Sequence, residues 1–321
     1  MPKLGDLPRG AVGGASTIIV VLLLIISGNS SALVNGLVFG SFYGLVALGL
    51  VLIYKSSGVF NFAQGEFGTV AVYTLWILLE RGVPYLLAIL AGIVAAIAFG
   101  LLTERLVIRP LFDAPRVILL VATAGVALLA IGLEFWIGGA LLRQVRPISG
   151  ELGRISPFGV NVSDQQLILI AALLILGGIL AYFFNRTNLG LAIIGASQEP
   201  TATELVGISV KRLSSFTWVL AALLGAVAGI LSVPIGGSFG PGYLTVGSSG
   251  ALIPGFTAAV LGGMTSMPGA FVGGAIVGVA ESFALRQSAL AFIPGPDKVM
   301  IFLILLLVLA LRPQGLLGKS A

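Results

Sequence analysis

Apolar runs recur from one end of this 321-residue chain to the other, at roughly 14–28, 33–54, 67–80, 85–106, 117–141, 166–184, 215–235, 251–264, 268–286 and 297–312. A helix needs about 20 apolar residues to cross the hydrocarbon core of a bilayer. Inside that core the backbone has no water to bond to, so a helix that closes its own hydrogen bonds is the natural spanning element. The expected fold is therefore all-α: a polytopic transmembrane helical bundle of eight to ten spans. The runs 67–80 and 251–264 are short for a full crossing. They extend into their flanks or form half-helices, which are tolerated where protein or a cavity surrounds them. The 251–286 region reads as two full spans or as one re-entrant hairpin. Composition agrees, with 58% hydrophobic and 9% charged residues against about 25% charged in soluble domains. No loop is long enough for a soluble domain, so 1–321 is read as one transmembrane domain.

Cysteine and histidine are both absent. That removes disulfides, thiol catalysis, the usual zinc, haem and iron–sulfur ligands, and the commonest general base near neutral pH. No Ser–Lys pair has persuasive spacing, so a membrane-embedded enzyme has no nucleophile to use. No metal site is expected. The net charge is +5, but the basic residues sit in short connections, the membrane pattern rather than a nucleic-acid footprint. Lipid is the expected neighbour, and no nucleic acid. Lys3 and Arg9 precede the first apolar run, which reads as a first membrane helix or signal anchor, since many spans follow and no small-residue cleavage site stands out.

Lysine and arginine orient the chain. Arg105, Arg109 and Arg116 flank one connection, Arg186, Lys211 and Arg212 another, and Arg312 and Lys319 mark the tail. Placing these in the cytoplasm puts the N-terminus inside. The 142–165 loop then lies outside despite Arg143, Arg146 and Arg154, a conflict that Glu151 and Asp164 only partly balance. Gly36, Gly40 and Gly44 share one helix face, as do Gly269 with Gly273 and Gly274 with Gly278. Such stripes let helices approach closely, either as ordinary packing or as a subunit interface or moving contact.

Three carboxylates fall within or beside apolar runs: Glu66, Glu134 and Glu281. Ionisable groups in a membrane are costly and usually face the bundle interior or a cavity. Each is a candidate proton relay, substrate contact or structural anchor. Glu66 belongs to GVFNFAQGEF (58–67), where Asn61, Phe62, Gln64 and Gly65 join it as candidates for a translocation pathway. This segment reads either as an unwound stretch presenting dipoles to a cavity or as a polar loop at the membrane surface. The tail LRPQGLLGKS contains Gly318-Lys319-Ser320, but the P-loop glycine five residues before Gly318 is replaced by Pro313. Nucleotide binding is rejected there, and an ATP-driven motor would have to be another chain.

The polar stretch 190–212 carries a compact helix signal. Ser197 is placed to cap a helix whose first turn holds Glu199 and Pro200. Thr201 and Glu204 have capping-box spacing, an alternative start one turn later. Gly207 is placed to end the helix in the left-handed conformation. The expected helix is roughly Gln198–Val206, in the cytoplasm, with Leu205, Val206 and Ile208 as an apolar contact patch. The alternative is a mere interhelical loop.

Four blocks, GLVFGSFYGLVALGLVLIYKSSGVFNFAQGEF (36–67), GASQEPTATELVGISVKR (195–212), AAVLGGMTSMPGAFVGGAIVGVAESF (258–283) and LRPQGLLG (311–318), together resemble the LivH-type permease of the branched-chain amino acid ABC importer family. Their order and spacing cover nearly the whole chain. The family usually has histidine where Gln64 stands, so a proton-linked role is not expected at that position. Thr203 and Glu204 also depart from the family's small-residue turn. The resemblance implies a non-enzymatic permease subunit in a bacterial or archaeal plasma membrane, moving branched-chain amino acids, or related solutes such as urea, short amides or aromatic acids. It implies a second, LivM-type permease, two ABC ATPases that hold ATP and Mg, an external solute-binding protein, and no cofactor on this chain. Glu199 to Ile208, with Ser197 before them and Ala202 among them, would form the helix that receives the ATPase. The rival reading is an ion-coupled secondary transporter or channel using Glu66, Glu134 or Glu281.

Overall fold

The protein was analysed as a computed structural model, which describes residues 30–112, 114–148, 153–155, 160–247, 250–287, 292, 294–312 and 314–318. The expected run at 14–28, Lys3 and Arg9, and the tail residues Pro313, Lys319 and Ser320 lie outside the described residues. The helices, in chain order, are α1 (Ser30–Ser57), α2 (Gln64–Glu80), α3 (Tyr85–Leu102), α4 (Arg116–Gly138), α5 (Asp164–Arg186), α6 (Asn188–Gln198), α7 (Pro200–Leu205), α8 (Val210–Gly236), α9 (Leu252–Gly262), α10 (Met267–Arg286) and α11 (Pro296–Leu311). A π-helical turn, Thr103–Ile108, and a 3-10 turn, Arg109–Leu111, extend α3. A two-residue antiparallel pair, β1 (Arg154–Ile155) with β2 (Val162–Ser163), closes the loop before α5. The architecture is an all-α polytopic membrane bundle. Among the described residues six helices are long and apolar enough to cross a bilayer: α1, α3 with its extension, α4, α5, α8 and α10.

Local chemistry sets the boundaries. Ser163 and Gln166 make a reciprocal capping box at the start of α5, and the Thr187 and Ser266 hydroxyls accept from the third residues of α6 and α10. Successive elements run to opposite ends of the bundle. One end gathers Lys55, Arg109, Arg116 and Lys211 near the junctions of α1, α3, α4 and α8 and is called the basic end here. At the far end Arg286, closing α10, donates to Ser31 at the start of α1 at 2.8 Å. There too residues 143 and 239 bridge after α4 and α8.

The core is built on α1, α8, α9 and α10. Gly36, Gly40, Gly274 and Gly278 lie where α1 and α10 cross, each backbone filling the space a Cβ would need on the other. Gly269 and Gly273 turn the other way, onto Gly262 and Ala258 of α9. The glycine stripes are thus internal packing, in which dispersion between close backbones replaces the hydrophobic drive that lipid removes.

The two short runs resolve differently. α2, at 17 residues, starts in the interior after a non-helical stretch, 58–63, whose residues alternate between half-buried and buried. α9 has 11 residues, about 16 Å at 1.5 Å per residue, roughly half a hydrocarbon core. The chain reaches it from the far end through the non-helical residues 237–247, in which Phe239, Tyr243 and Leu244 are fully buried. α9 then turns at Gly263 into α10. The 251–286 region is therefore a half-helix followed by a full-length one. The C-terminal tail secures the turn: Leu316 and Leu317 donate backbone N–H to the carbonyls of Leu261 and Gly262 at 2.7 and 3.1 Å, carbonyls that a helix end leaves unpaired.

Candidate functional site

The residues of 58–66 are brought together in the interior. Asn61, Gln64 and Glu66 have no exposed surface, which decides against a polar loop at the membrane surface. Gly58, with φ +67°, turns the chain back inward after α1, a conformation glycine adopts without strain. Three of the bonds that hold this break reach other elements, while Asn61 Nδ2, Gln64 Oε1 and both Glu66 oxygens are buried without a well-formed hydrogen bond. The Gln64 amide donates to the Ala221 carbonyl of α8 at 3.0 Å. The Thr123 hydroxyl of α4 accepts the Phe62 N–H at 3.2 Å and reaches the Phe60 carbonyl at 3.2 Å. Asn61 accepts the Ala63 N–H at 3.0 Å, closing a local turn.

The second non-helical segment packs against the first. Gly65 leaves room for the Leu244–Thr245 backbone, since a Cβ there would meet Thr245 Oγ1. Thr69 accepts the Leu244 N–H at 3.3 Å. Glu134 of α4 accepts the Gly242 N–H at 2.7 Å. Glu66 sits beside Glu134, Thr69 and Thr245, yet neither of its oxygens makes a well-formed hydrogen bond. Two interrupted helices thus face one another across a polar seam at the centre of the bundle, an arrangement that in transporters brings backbone dipoles to membrane depth.

Glu281 is separate from this seam. It lies toward the far end of α10, 4% exposed, with Lys298 Nζ at 3.6 Å, and it lines a cavity of about 290 Å³. A second cavity, of about 650 Å³, opens at the basic end between the α1 terminus, Arg109 and Arg116, and the residues Ser197, Gln198, Thr201 and Glu204. Asn61, Phe62, Gln64, Gly65, Glu66 and Glu134 line neither of these two.

The helix expected at Gln198–Val206 is found as a shorter one, and a separate helix precedes it. Asn188–Gln198 is α6, capped by Thr187, and Pro200–Leu205 is a separate single-turn-and-a-half helix, α7. The Ser197 hydroxyl donates back to the Ile194 carbonyl at 2.7 Å, within the last turn of α6, and does not cap α7. The cause is Pro200. Proline disfavours the helical conformation in the residue before it, and Glu199 accordingly sits at φ −136°, ψ 82°. Proline itself fits at the first position of the next helix. No capping box forms between Thr201 and Glu204; instead the Thr203 hydroxyl donates to the Glu199 carbonyl at 3.0 Å. Gly207 ends α7 at φ +83°, the left-handed stop expected of it. Leu205 and Val206 are 84% and 74% exposed, while Thr203 is buried and Ile208 packs onto the core.

Sequence reasoning passed over several groups. Glu104 is fully buried and held by Arg109 at 3.1 Å, with the Ser215 hydroxyl donating to the same carboxylate at 2.9 Å. Their five-residue spacing is brought into register by the π-helical turn. Thr123, a lone hydroxyl in an apolar run, was the visible signal for the 58–63 anchor. Two of the three arginines that conflicted with the expected orientation are tied to the protein surface: Arg143 stacks on Trp76 at 4.8 Å and Arg146 on Tyr85 at 5.6 Å, while Arg154 is exposed on β1.

Helices interrupted at the middle, a polar seam between them and an exposed helical turn at one end define a multi-pass membrane transport subunit. The family model described as "Branched-chain amino acid transport system / permease component" matches residues 32–311, and the chain belongs to that family. It is 35% identical over 300 residues to the high-affinity branched-chain amino acid transport system permease protein BraD of Pseudomonas aeruginosa, covering 89% of this chain and 95% of that one. It is 31% identical to the probable branched-chain amino acid transport permease protein LivH of Methanocaldococcus jannaschii, covering 91% and 93%. It is 29% identical to LivH of Escherichia coli K12, covering 89% and 94%. The protein is thus a permease subunit of a bacterial or archaeal plasma membrane.

Proposed function

We propose that this chain is the permease subunit of an ATP-driven importer for branched-chain amino acids or a related small polar solute, and that α7 is its contact with the motor. The observation that carries the coupling assignment is the exposure of Leu205 and Val206 on a short helix whose inner residue, Thr203, is buried. Exposed aliphatic residues beside a cluster of polar ones suit a protein partner. The segment Glu199 to Ile208, with Pro200, Thr201, Ala202, Glu204 and Gly207, would transmit ATPase closure into α6 and α8, biasing the bundle between outward and inward states. Two ATPases would hold ATP and Mg, this chain binding neither. A second, LivM-type permease and an external binding protein would complete the assembly.

The basic end would then be cytoplasmic. Counting the interrupted elements as crossings, with the run at 14–28 ahead of α1, gives ten spans within one permease domain. The central seam, Asn61 to Glu66 with Glu134, would hold the interrupted helices in register beside the pathway.

The test is paired. ATPase subunits should co-purify with the wild-type chain, and solute uptake should require ATP. Glu199→Ala and Gly207→Val should leave the subunits membrane-inserted while uncoupling hydrolysis from uptake. Normal uptake by both variants would remove the coupling assignment. Uptake by this chain alone in liposomes, driven by an ion gradient, would favour the secondary-transporter reading instead.

A further inference from the structure

The far-end cavity lies between α1, α5, α8, α10 and α11. Its lining combines the apolar Val38, Phe42, Leu169 and Ile235 with the hydroxyls of Tyr43 and Ser232 and with Glu281, Asp297 and Lys298. The charges in this lining do not balance. Two carboxylates converge on one ammonium, with Lys298 Nζ 3.6 Å from Glu281 Oε1 and 3.3 Å from Asp297 Oδ2. The Glu281 side chain is 6% exposed and that of Lys298 60%, so the acid is at the floor and the ammonium at the mouth. Glu281 Oε2 is buried and makes no well-formed hydrogen bond; the Tyr43 hydroxyl is a neutral donor beside the carboxylate. A buried carboxylate oxygen that is poorly bonded is costly, and a carboxylate bonds most strongly to a cationic donor.

We propose that this cavity binds an aliphatic α-amino acid. The ligand ammonium donates to Glu281 Oε2, the aliphatic side chain lies against Val38, Phe42, Leu169 and Ile235, and the ligand carboxylate turns to Lys298 at the mouth. At about 290 Å³ the space is large enough for a ligand of this size. The inference rests on the permease reading above and gives its solute a docking place within this one chain. It also discriminates: isoamylamine lacks the carboxylate that meets Lys298, and isocaproate sets a negative charge against two carboxylates with no ammonium to relieve it.

The experiment measures radiolabelled L-leucine binding to the full chain in lipid nanodiscs, with the external binding protein omitted. Saturable binding is expected, with isocaproate a poor competitor and isoamylamine intermediate. Glu281→Gln keeps the side chain's shape, and Ile235→Trp fills the cavity from its apolar lining. Each should weaken leucine binding about tenfold or more, the scale of one lost charge-assisted bond or blocked pocket. Absence of saturable leucine binding to the wild type, wild-type affinity in both variants, or isocaproate competing as well as leucine would each overturn the site. ATP-dependent uptake in cells with the complete transporter separates the two levels. Uptake by the wild type that does not need ATP sinks the permease reading. ATP-dependent uptake with unchanged leucine affinity in both variants sinks the cavity alone.

Discussion

The segments 58–66 and 195–208 look alike as sequence: each is a short polar stretch, with glycine, between apolar runs. In the fold they are opposites. Asn61, Gln64 and Glu66 have no exposed surface, and the bonds that hold their segment come from distant elements, Ala221 on α8 and Thr123 on α4. Around α7 the described side-chain bonds stay local, Ser197 to Ile194 and Thr203 to Glu199, and Leu205 points away from the chain's own core. A polar break inside a membrane protein must find partners within the chain, because lipid offers none. A polar break at the end of the bundle is under no such demand, and its surface remains available to another protein.

The comparison breaks first at the scaffold around the buried segment. Gly278→Val sets a branched side chain into the backbone of Gly36 and Gly40, at the crossing of the two most intimately packed helices. The two helices have no room to part without opening the core, so a loss above about 4 kcal/mol is expected, the range in which single substitutions unfold a protein. The check is the yield of monodisperse protein in detergent. Well-folded material would show that the crossing is not the frame.

Next comes the buried break itself. Thr123→Val keeps shape and removes the acceptor of the Phe62 N–H. The expected loss is about 1–3 kcal/mol, read as a lower thermal midpoint. Thr201→Val, on the exposed side, should leave that midpoint unchanged. Equal shifts in the two variants would erase the distinction between the segments.

How far these differences could be read in advance depends on where their cause lies. Among the described residues the apolar runs located the six helices long enough to cross a bilayer to within a few residues, because burial of apolar length in lipid is a property of the run itself. Gly207 was legible because only one residue type suits its φ of +83°. Glu199 was misread as the first turn of one continuous helix, because capping signals were weighed above the restriction Pro200 imposes on its predecessor. The seam itself was not legible: that Glu134 would accept from Gly242, 108 residues away, is decided by how helices pack, which local pattern does not encode. The same holds for the direction of the glycine stripes, where period fixes a shared face and only the partner says what the face is for.

Gly207→Ala sharpens the exposed side. A Cβ at φ +83° costs about 1–2 kcal/mol, and nothing lies within 4 Å of the position to add a clash. The strain falls on the C-terminus of α7 and not on the core. The thermal midpoint should therefore move less than in Thr123→Val, while ATP-coupled uptake falls. A midpoint drop as large as that of Thr123→Val would mean α7 is part of the cooperative core.

The smallest effect on stability, and the most informative, is expected from Leu205→Asp. Its side chain is 84% exposed, so its replacement removes no buried apolar area and should change stability by no more than about 0.5 kcal/mol. If α7 is a docking turn, the same substitution puts a charge into the centre of an apolar contact, where truncation of an anchor commonly costs about 2 kcal/mol or more. ATPase retention on affinity-purified permease should then fall about tenfold or further, with the thermal midpoint unmoved. An unmoved midpoint with full ATPase retention would leave Leu205 a lipid- or solvent-facing residue, and the contrast between the two polar segments would then be one of burial without a difference in purpose. A moved midpoint would say instead that the turn carries structure that its exposure conceals. Only the combination of intact fold and lost partner assigns the exposed segment to an interface.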